Sequence, residues 1–184
     1  MSRRLVSVNV GRPRPVERLG TLRRSAIWKE PVAGRVAVRG VNVEGDDQGD
    51  RRVHGGPDQA VYAYAREDYE WWERELGQAL APGTFGENLT TEGVDVSGAA
   101  AGERWRVGSA VLEVTKPRLP CWKLGMRMGD EAFIDRFAQA ARFGAYLRIV
   151  REGEVGAGDE IVVERSGAGA TVRDVGVAKW RRSA

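Results

Sequence analysis

The 184-residue sequence holds one cysteine, Cys121, and one histidine, His54. A single thiol cannot close an intrachain disulfide, and one Cys with one His cannot build the four-ligand cluster of a structural zinc site. Both absences fit the reducing cytoplasm, which is the expected location. Long apolar runs are missing too: no window approaches the ~20 apolar residues that span a bilayer. The apolar stretch after Arg3-Arg4 ends at Gly11-Arg12, too short for a secretory signal. Lysine is scarce, with four among 29 basic residues, so arginine numbers reflect a general bias rather than a need for guanidinium at any one place. The formal net charge is only +3 with both signs interspersed, which argues against a dedicated nucleic-acid coat.

What the chain does have is enough apolar material for a core, 42%, against 30% charged residues. Its length predicts one domain, over residues 1–165, followed by a short C-terminal tail at 166–184. Period-two alternation and β-branched residues predict strands at 5–10, 35–43, 59–64, 105–107, 111–115, 146–150 and 161–164. Glycine and proline punctuate the intervals. Two helices interrupt the series: 66–76, with Tyr69, Trp72 and Leu76 on one stripe and Gly77 as its stop, and 130–142, with Phe133, Phe137 and Ala141 on one stripe and Gly144 closing it. Residues 166–170 are small and Gly-rich, a joint leading to a basic segment with Trp180 that suits a short docked helix. The expected class is mainly β with peripheral helices (α+β), a sandwich or barrel rather than a parallel sheet.

Four segments could carry chemistry. Cys121 lies in Pro117-Arg118-Leu119-Pro120-Cys121-Trp122-Lys123-Leu124, where two prolines stiffen a loop at a strand end. Positive charge at Arg118, Lys123 and Arg127 favours the thiolate, the form that ligates metal or attacks; equally, a free cysteine often serves as a small buried hydrophobe. His54-Gly55-Gly56-Pro57-Asp58, downstream of Asp46, Asp47 and Asp50, is either an anion-binding nest or an ordinary turn. In Phe85-Gly86-Glu87-Asn88-Leu89 the adjacent Glu87 and Asn88 point to opposite faces of an extended segment, so one can enter a pocket while the other stays at the surface. Arg142-Phe143-Gly144-Ala145-Tyr146 ends a helix where an arginine and freed backbone could hold an anion, or is simply a helix stop.

In this order, and with Lys29-Glu30-Pro31-Val32 ahead of them, these motifs resemble the MOSC family, the domain shared with the C-terminus of molybdenum cofactor sulfurases, and within it the YiiM-like branch. The resemblance covers roughly residues 29–161. It implies a strongly bent β-barrel with a cleft for the molybdenum cofactor, a Mo-molybdopterin. Cys121 then becomes the metal ligand, with His54 and Glu87 as proton-handling groups. Arg118, Asn88, Gly55, Gly56, Lys29, Arg142 and Tyr146 become the cofactor-binding candidates. The implied activity is reductive cleavage of the N–O bond in N-hydroxylated compounds such as hydroxylaminopurine, a detoxification. No flavin, iron–sulfur or nicotinamide motif is present, so electrons must come from an external, flavin-dependent reductase. Longer YiiM-type members carry an additional small helical domain where this chain has only residues 171–184; a homodimer is left open. Two other readings stand beside this one: a cysteine-persulfide sulfur carrier, and a non-catalytic module that binds or stores the cofactor. A small-barrel nucleic-acid binder is disfavoured because Tyr69, Trp71 and Trp72 sit among acidic residues.

Overall fold

The structure is a computed structural model describing residues 2–47 and 55–183. In chain order its elements are β1 (Arg4–Val10), β2 (Arg14–Arg18), β3 (Thr21–Ser25), β4 (Glu30–Pro31), β5 (Arg35–Arg39), β6 (Asn42–Val43), a 3-10 turn (Pro57–Gln59), β7 (Val61–Ala65), α1 (Arg66–Leu76), β8 (Leu89–Glu92), β9 (Arg104–Val107), β10 (Ala110–Pro117), α2 (Trp122–Met128), α3 (Phe133–Ala140), β11 (Ala145–Arg151), β12 (Gly153–Gly156), β13 (Ile161–Arg165) and α4 (Val172–Ser183). The expected α+β class is what forms.

Eight strands make one sheet in the order β13-β9-β10-β11-β7-β8-β1-β4; β12-β5-β6 and β2-β3 form two smaller sheets. Within the large sheet β7 and β8 run parallel, with Ala63 opposite Leu89, because α1 carries the chain back between them. The barrel expectation is corrected: among the described residues no ladder closes the sheet. An isolated bridge between Arg4 and Glu160 is flanked by Leu5 N–H donating to Asp159 O (2.8 Å) and Ile161 N–H donating to Arg3 O (2.9 Å). Beyond it lies an open groove of about 820 Å³, lined by Arg3, Val94, Asp95, Val162 and Val163 among others.

β7 shows why both sides of this sheet are dry. All five of its residues are buried, with Val61, Ala63 and Ala65 entering one core and Tyr62 and Tyr64 the other. The first core is aliphatic and includes Leu5, Val8, Leu89, Leu112, Val114 and Leu147 around Trp105. The second is aromatic, between the sheet and the helices. Trp72 of α1 stacks nearly parallel on Phe137 of α3, centroids 5.9 Å apart, and Phe85 meets Tyr69 edge-on at 4.9 Å. Each such pair adds about 0.5–1.5 kcal/mol beyond its area burial.

Helix α1 has the expected limits, and Gly77 ends it in the left-handed conformation. The helix expected at 130–142 is shorter, and it stops at Ala141 (φ 53) rather than at Gly144. Gly144 instead lets β11 start against β7: its φ is 63, and a Cβ there would lie 2.5 Å from Ala63 O and 2.7 Å from the Tyr64 ring. The C-terminal segment packs on the body, with Val172 in the aliphatic core and Arg173 N–H donating to Ser97 O.

Replacing Gly144 with Ala combines a positive φ with overpacking against backbone. Urea unfolding should show a loss of about 2–5 kcal/mol; a change within 0.5 kcal/mol would mean that the β7–β11 contact is looser than described.

Candidate functional site

A cavity beside the loop that carries the sole thiol is small, about 80 Å³, and its walls come from six parts of the chain. Ser25 ends β3, and Ala26, Ile27 and Lys29 follow it. Asp46 and Asp47 follow β6, Gly86 and Asn88 precede β8, and Arg118 and Lys123 flank the loop that joins β10 to α2. Tyr62 and Tyr146, neighbours across the β7–β11 ladder, complete the wall, with their rings 5.5 Å apart.

Charge dominates this cavity. Lys29 and Asp46 form an ion pair with side-chain exposures of 9% and 2%. Asp46 Oδ1 also accepts from Gly11 N–H (2.8 Å), and Oδ2 accepts from Asn88 Nδ2 (2.9 Å). Asn88 Oδ1 in turn accepts Tyr62 N–H at 3.1 Å, so the amide is locked at both ends. Burial lowers the pKa of the Lys29 ammonium, with Asp46 opposing that shift and the Arg118 charge adding to it. Arg118 Nη1 donates to Phe85 O (2.7 Å), and its guanidinium lies 5.0 Å from the centre of the Tyr62 ring. Burial pushes the Tyr62 and Tyr146 hydroxyls above the ordinary phenol range, against the pull of Arg118.

Cys121 stands at the edge of this arrangement. It is partly exposed, caps the start of α2, and lies within electrostatic reach of both Arg118 and Tyr146. Among the described residues no group of three or more His, Cys, Asp or Glu side chains could hold a metal. A metal here would have one thiolate from the protein and would need to bring its other ligands with it.

The structure therefore brings Cys121, Arg118, Lys29, Asn88 and Tyr146 together and leaves the other candidates elsewhere. Glu87 does not line the cavity. As alternation predicts, it points away from Asn88, but into the aromatic core rather than to the surface. Its Oε1 accepts from the Tyr69 hydroxyl (2.6 Å), Gly83 N–H (2.7 Å) and the Thr90 hydroxyl (2.7 Å). Its Oε2 is buried without a hydrogen-bond partner among the described residues. Glu87 therefore stands behind the cavity wall rather than in it. Arg142 belongs to the large groove, paired with Asp68 and lying 4.8 Å over the Trp71 ring. Gly55 and Gly56 precede the 3-10 turn and are not part of the cavity wall. His54 lies outside the described residues.

Asp46, Tyr62 and Lys123 are site residues that sequence reasoning did not assign. One signal was available: in a chain whose cations are mostly arginine, two of the four lysines, Lys29 and Lys123, are buried and both face this cavity.

The fold is mainly β with a charged cavity beside the loop that carries its one cysteine, and comparison with known proteins defines the family. Residues 50–162 match the MOSC domain, and the chain belongs to that family. It is 37% identical to YflK of Bacillus subtilis (strain 168) over 154 residues, 84% of this chain and 70% of that protein. It is 32% identical to YiiM of Escherichia coli (strain K12) over 160 residues, 85% and 71% respectively. The crystal structure of YiiM from Geobacillus stearothermophilus superposes with a TM-score of 0.79 at 29% identity, covering 98% of this chain and 85% of that one. A Gibberella moniliformis (strain M3125 / FGSC 7600) protein named reductase is 32% identical over 141 residues, which are 74% of this chain but 25% of that protein.

The Glu87 carboxyl gives a pH test. Burial raises its pKa, and its three hydrogen bonds only partly offset that. As pH rises past about 4.3, the ordinary glutamate value, the unfolded chain releases this proton first. The folded state then binds more protons, and stability falls until the raised value is passed. Glu87→Gln removes that slope. In urea titrations from pH 4.5 to 8, the wild type should lose stability relative to the variant; parallel curves would show that the fold does not raise the Glu87 pKa.

Proposed function

We propose that the protein is a molybdenum-cofactor-dependent oxidoreductase that reduces N-hydroxylated compounds with electrons from a separate flavin-dependent reductase. The observation that carries this reading is the charged cavity walled by Arg118, Lys123 and the Lys29–Asp46 pair, next to the loop that bears the only thiol of a MOSC-family chain. The match to a protein named reductase supports the oxidoreductase class.

The donor set fits the group in part of its extent. A cavity of about 80 Å³ is far below the ~300 Å³ at which small-molecule pockets begin, so it suits one tetrahedral anion rather than a whole pterin. Arg118 would hold the cofactor phosphate through its guanidinium fork, helped by Lys123. Lys29 is engaged with Asp46, and its contribution is to fix Asn88 and the cavity floor. Cys121 would be the soft ligand to molybdenum. The cofactor, when bound, supplies the two-electron redox centre that a chain with one thiol lacks. The net change is R–NHOH plus two electrons and two protons giving R–NH2 and water, with the electrons drawn from the reduced flavin of the partner. Tyr146, within electrostatic reach of Cys121, would pass a proton at its hydroxyl. A cytoplasmic location fits a reduced thiol, and no helix among the described residues is long and apolar enough to cross a membrane.

The test is metal and pterin analysis of protein purified from a molybdenum-replete host, beside Cys121→Ser, which changes a soft ligand to a hard one at nearly constant volume. Wild type should carry molybdenum with pterin and reduce hydroxylaminopurine when coupled to a flavin reductase. The variant should melt at the same temperature and lose both metal and turnover. Turnover retained by Cys121→Ser would eliminate thiolate ligation; sulfane sulfur on Cys121 without molybdenum would establish the sulfur carrier instead.

A further inference from the structure

β2 and β3 pair only with each other, as a hairpin outside the two larger sheets. A two-stranded ribbon is marginal alone in water, so something besides its own ladder must hold it. The register supplies part of the answer. Arg14 opposite Ser25, Val16 opposite Arg23 and Arg18 opposite Thr21 share one face, while Pro15, Glu17, Leu22 and Arg24 share the other. On the first face Arg14 stacks 3.7 Å over Trp28 and Arg18 stacks 4.8 Å over Trp122. The hairpin thereby reaches from the residue before Lys29 to the residue after Cys121.

The remainder of the hairpin is unsatisfied in ways that point outward. Leu19 and Leu22 are 91% and 74% exposed, the two most exposed large apolar side chains described. Leu19 also sits at φ 49, followed by Gly20 at φ 70, a turn conformation that asparagine or glycine adopts without the strain leucine carries. Residues 12–25 hold five arginines against Glu17 alone, an excess of four positive charges where the whole chain has +3. Positive charge is thus concentrated on this arm and the rest of the molecule is close to neutral.

We propose that the β2–β3 hairpin is the docking arm for an acidic protein partner, the reductase that delivers electrons to the Cys121 site. This rests on the electron-transfer reading above. Arginine is the charged residue enriched at protein interfaces, and the exposed Leu19 and Leu22 supply apolar area that docking would withdraw from water. A near-neutral body offers no broad cationic face to a lipid surface, and arginines already cover Trp28 and Trp122, leaving no free stacking platform for nucleic-acid bases.

The experiment uses the full-length holoprotein and a bacterial flavodoxin as the acidic FMN-carrying probe. One variant reverses charge, Arg23→Glu with Arg24→Glu. A second, Leu19→Asn with Leu22→Ser, relaxes the turn while removing the apolar tip. Calorimetric titration should show flavodoxin binding to the wild type that weakens at least tenfold between 25 and 250 mM salt. Both variants should bind at least tenfold more weakly at low salt, with a flattened salt dependence in the first and an unchanged or raised melting temperature in the second. Turnover driven by reduced methyl viologen should be unaffected in both. Equal affinity in wild type and variants would overturn the arm, as would flotation of the wild type with phosphatidylserine vesicles in place of flavodoxin binding. Absent viologen turnover in the wild type would count against the oxidoreductase reading, while the binding titration would still judge the arm.

Discussion

The carboxylate of Asp46 is the constraint on which the site depends. Almost wholly withdrawn from water, it is tolerable only because three donors from three distant segments converge on it: Gly11 N–H, the Lys29 ammonium and the Asn88 amide. Breaking a buried pair of this kind by removing one partner typically costs 3–5 kcal/mol, because the survivor is left charged and unpaired. The network therefore acts as a register device. It ties the end of β1, the segment after β3 and the segment before β8 to one point, and the cavity is the space these three leave in front of Arg118. Glycine makes the approach feasible at its tightest place: a Cβ on Gly83 would lie 2.4 Å from Lys29 O.

A second buried carboxylate lies one residue from Asn88 and behaves differently. Glu87 is surrounded by neutral donors and aromatic rings instead of a cation, so burial works on it unopposed by a salt bridge. Tyr69 connects it to Thr84 N–H, and Gly83 N–H binds it directly, so one side chain pins the whole turn between α1 and β8. Adjacent residues just before β8 thus serve opposite sides: Asn88 shapes the cavity and Glu87 anchors the wall behind it. Residue identity alone makes the glutamate the more attractive catalytic candidate. Geometry puts the amide, not the carboxyl, in the cavity wall.

Much of the fold was legible because its signals are local. The stripe Tyr69, Trp72 and Leu76 with Gly77 behind it specifies α1 without reference to the rest of the chain, and the alternation from residue 5 specifies β1. What was not legible depends on distant partners. β2 and β3 carry arginine and proline in place of an apolar face, so period-two hydrophobicity is silent there, and the hairpin is held by stacking on Trp28 and Trp122. α2 is too short for periodicity to register. Ala141 takes the left-handed position that a glycine three residues later was expected to fill, because Gly144 is needed for the close approach of β11 to Ala63. In the site, the Pro117 and Pro120 loop marks a stiff segment, and in the fold Arg118 of that loop is held by Phe85 O. Asp46 could not be told from Asp47, since only the long-range bonds to residues 11, 29 and 88 distinguish them.

The distribution of lysine and arginine makes the same point in chemical terms. A planar guanidinium is weakly hydrated and stacks on aromatic faces, which suits Arg14, Arg18 and Arg118 over Trp28, Trp122 and Tyr62. An ammonium is compact and fits where the backbone of Gly83 presses against its own residue and one carboxylate oxygen is the target, which suits Lys29. The two cations are therefore not interchangeable here. An arginine at 29 would have to place a wider, flat group between Asp46 and the Gly83 turn, and would displace the Asn88 amide that carries the cavity wall. At position 29 the geometry calls for a point charge, and at 14, 18 and 118 for a flat one that can stack.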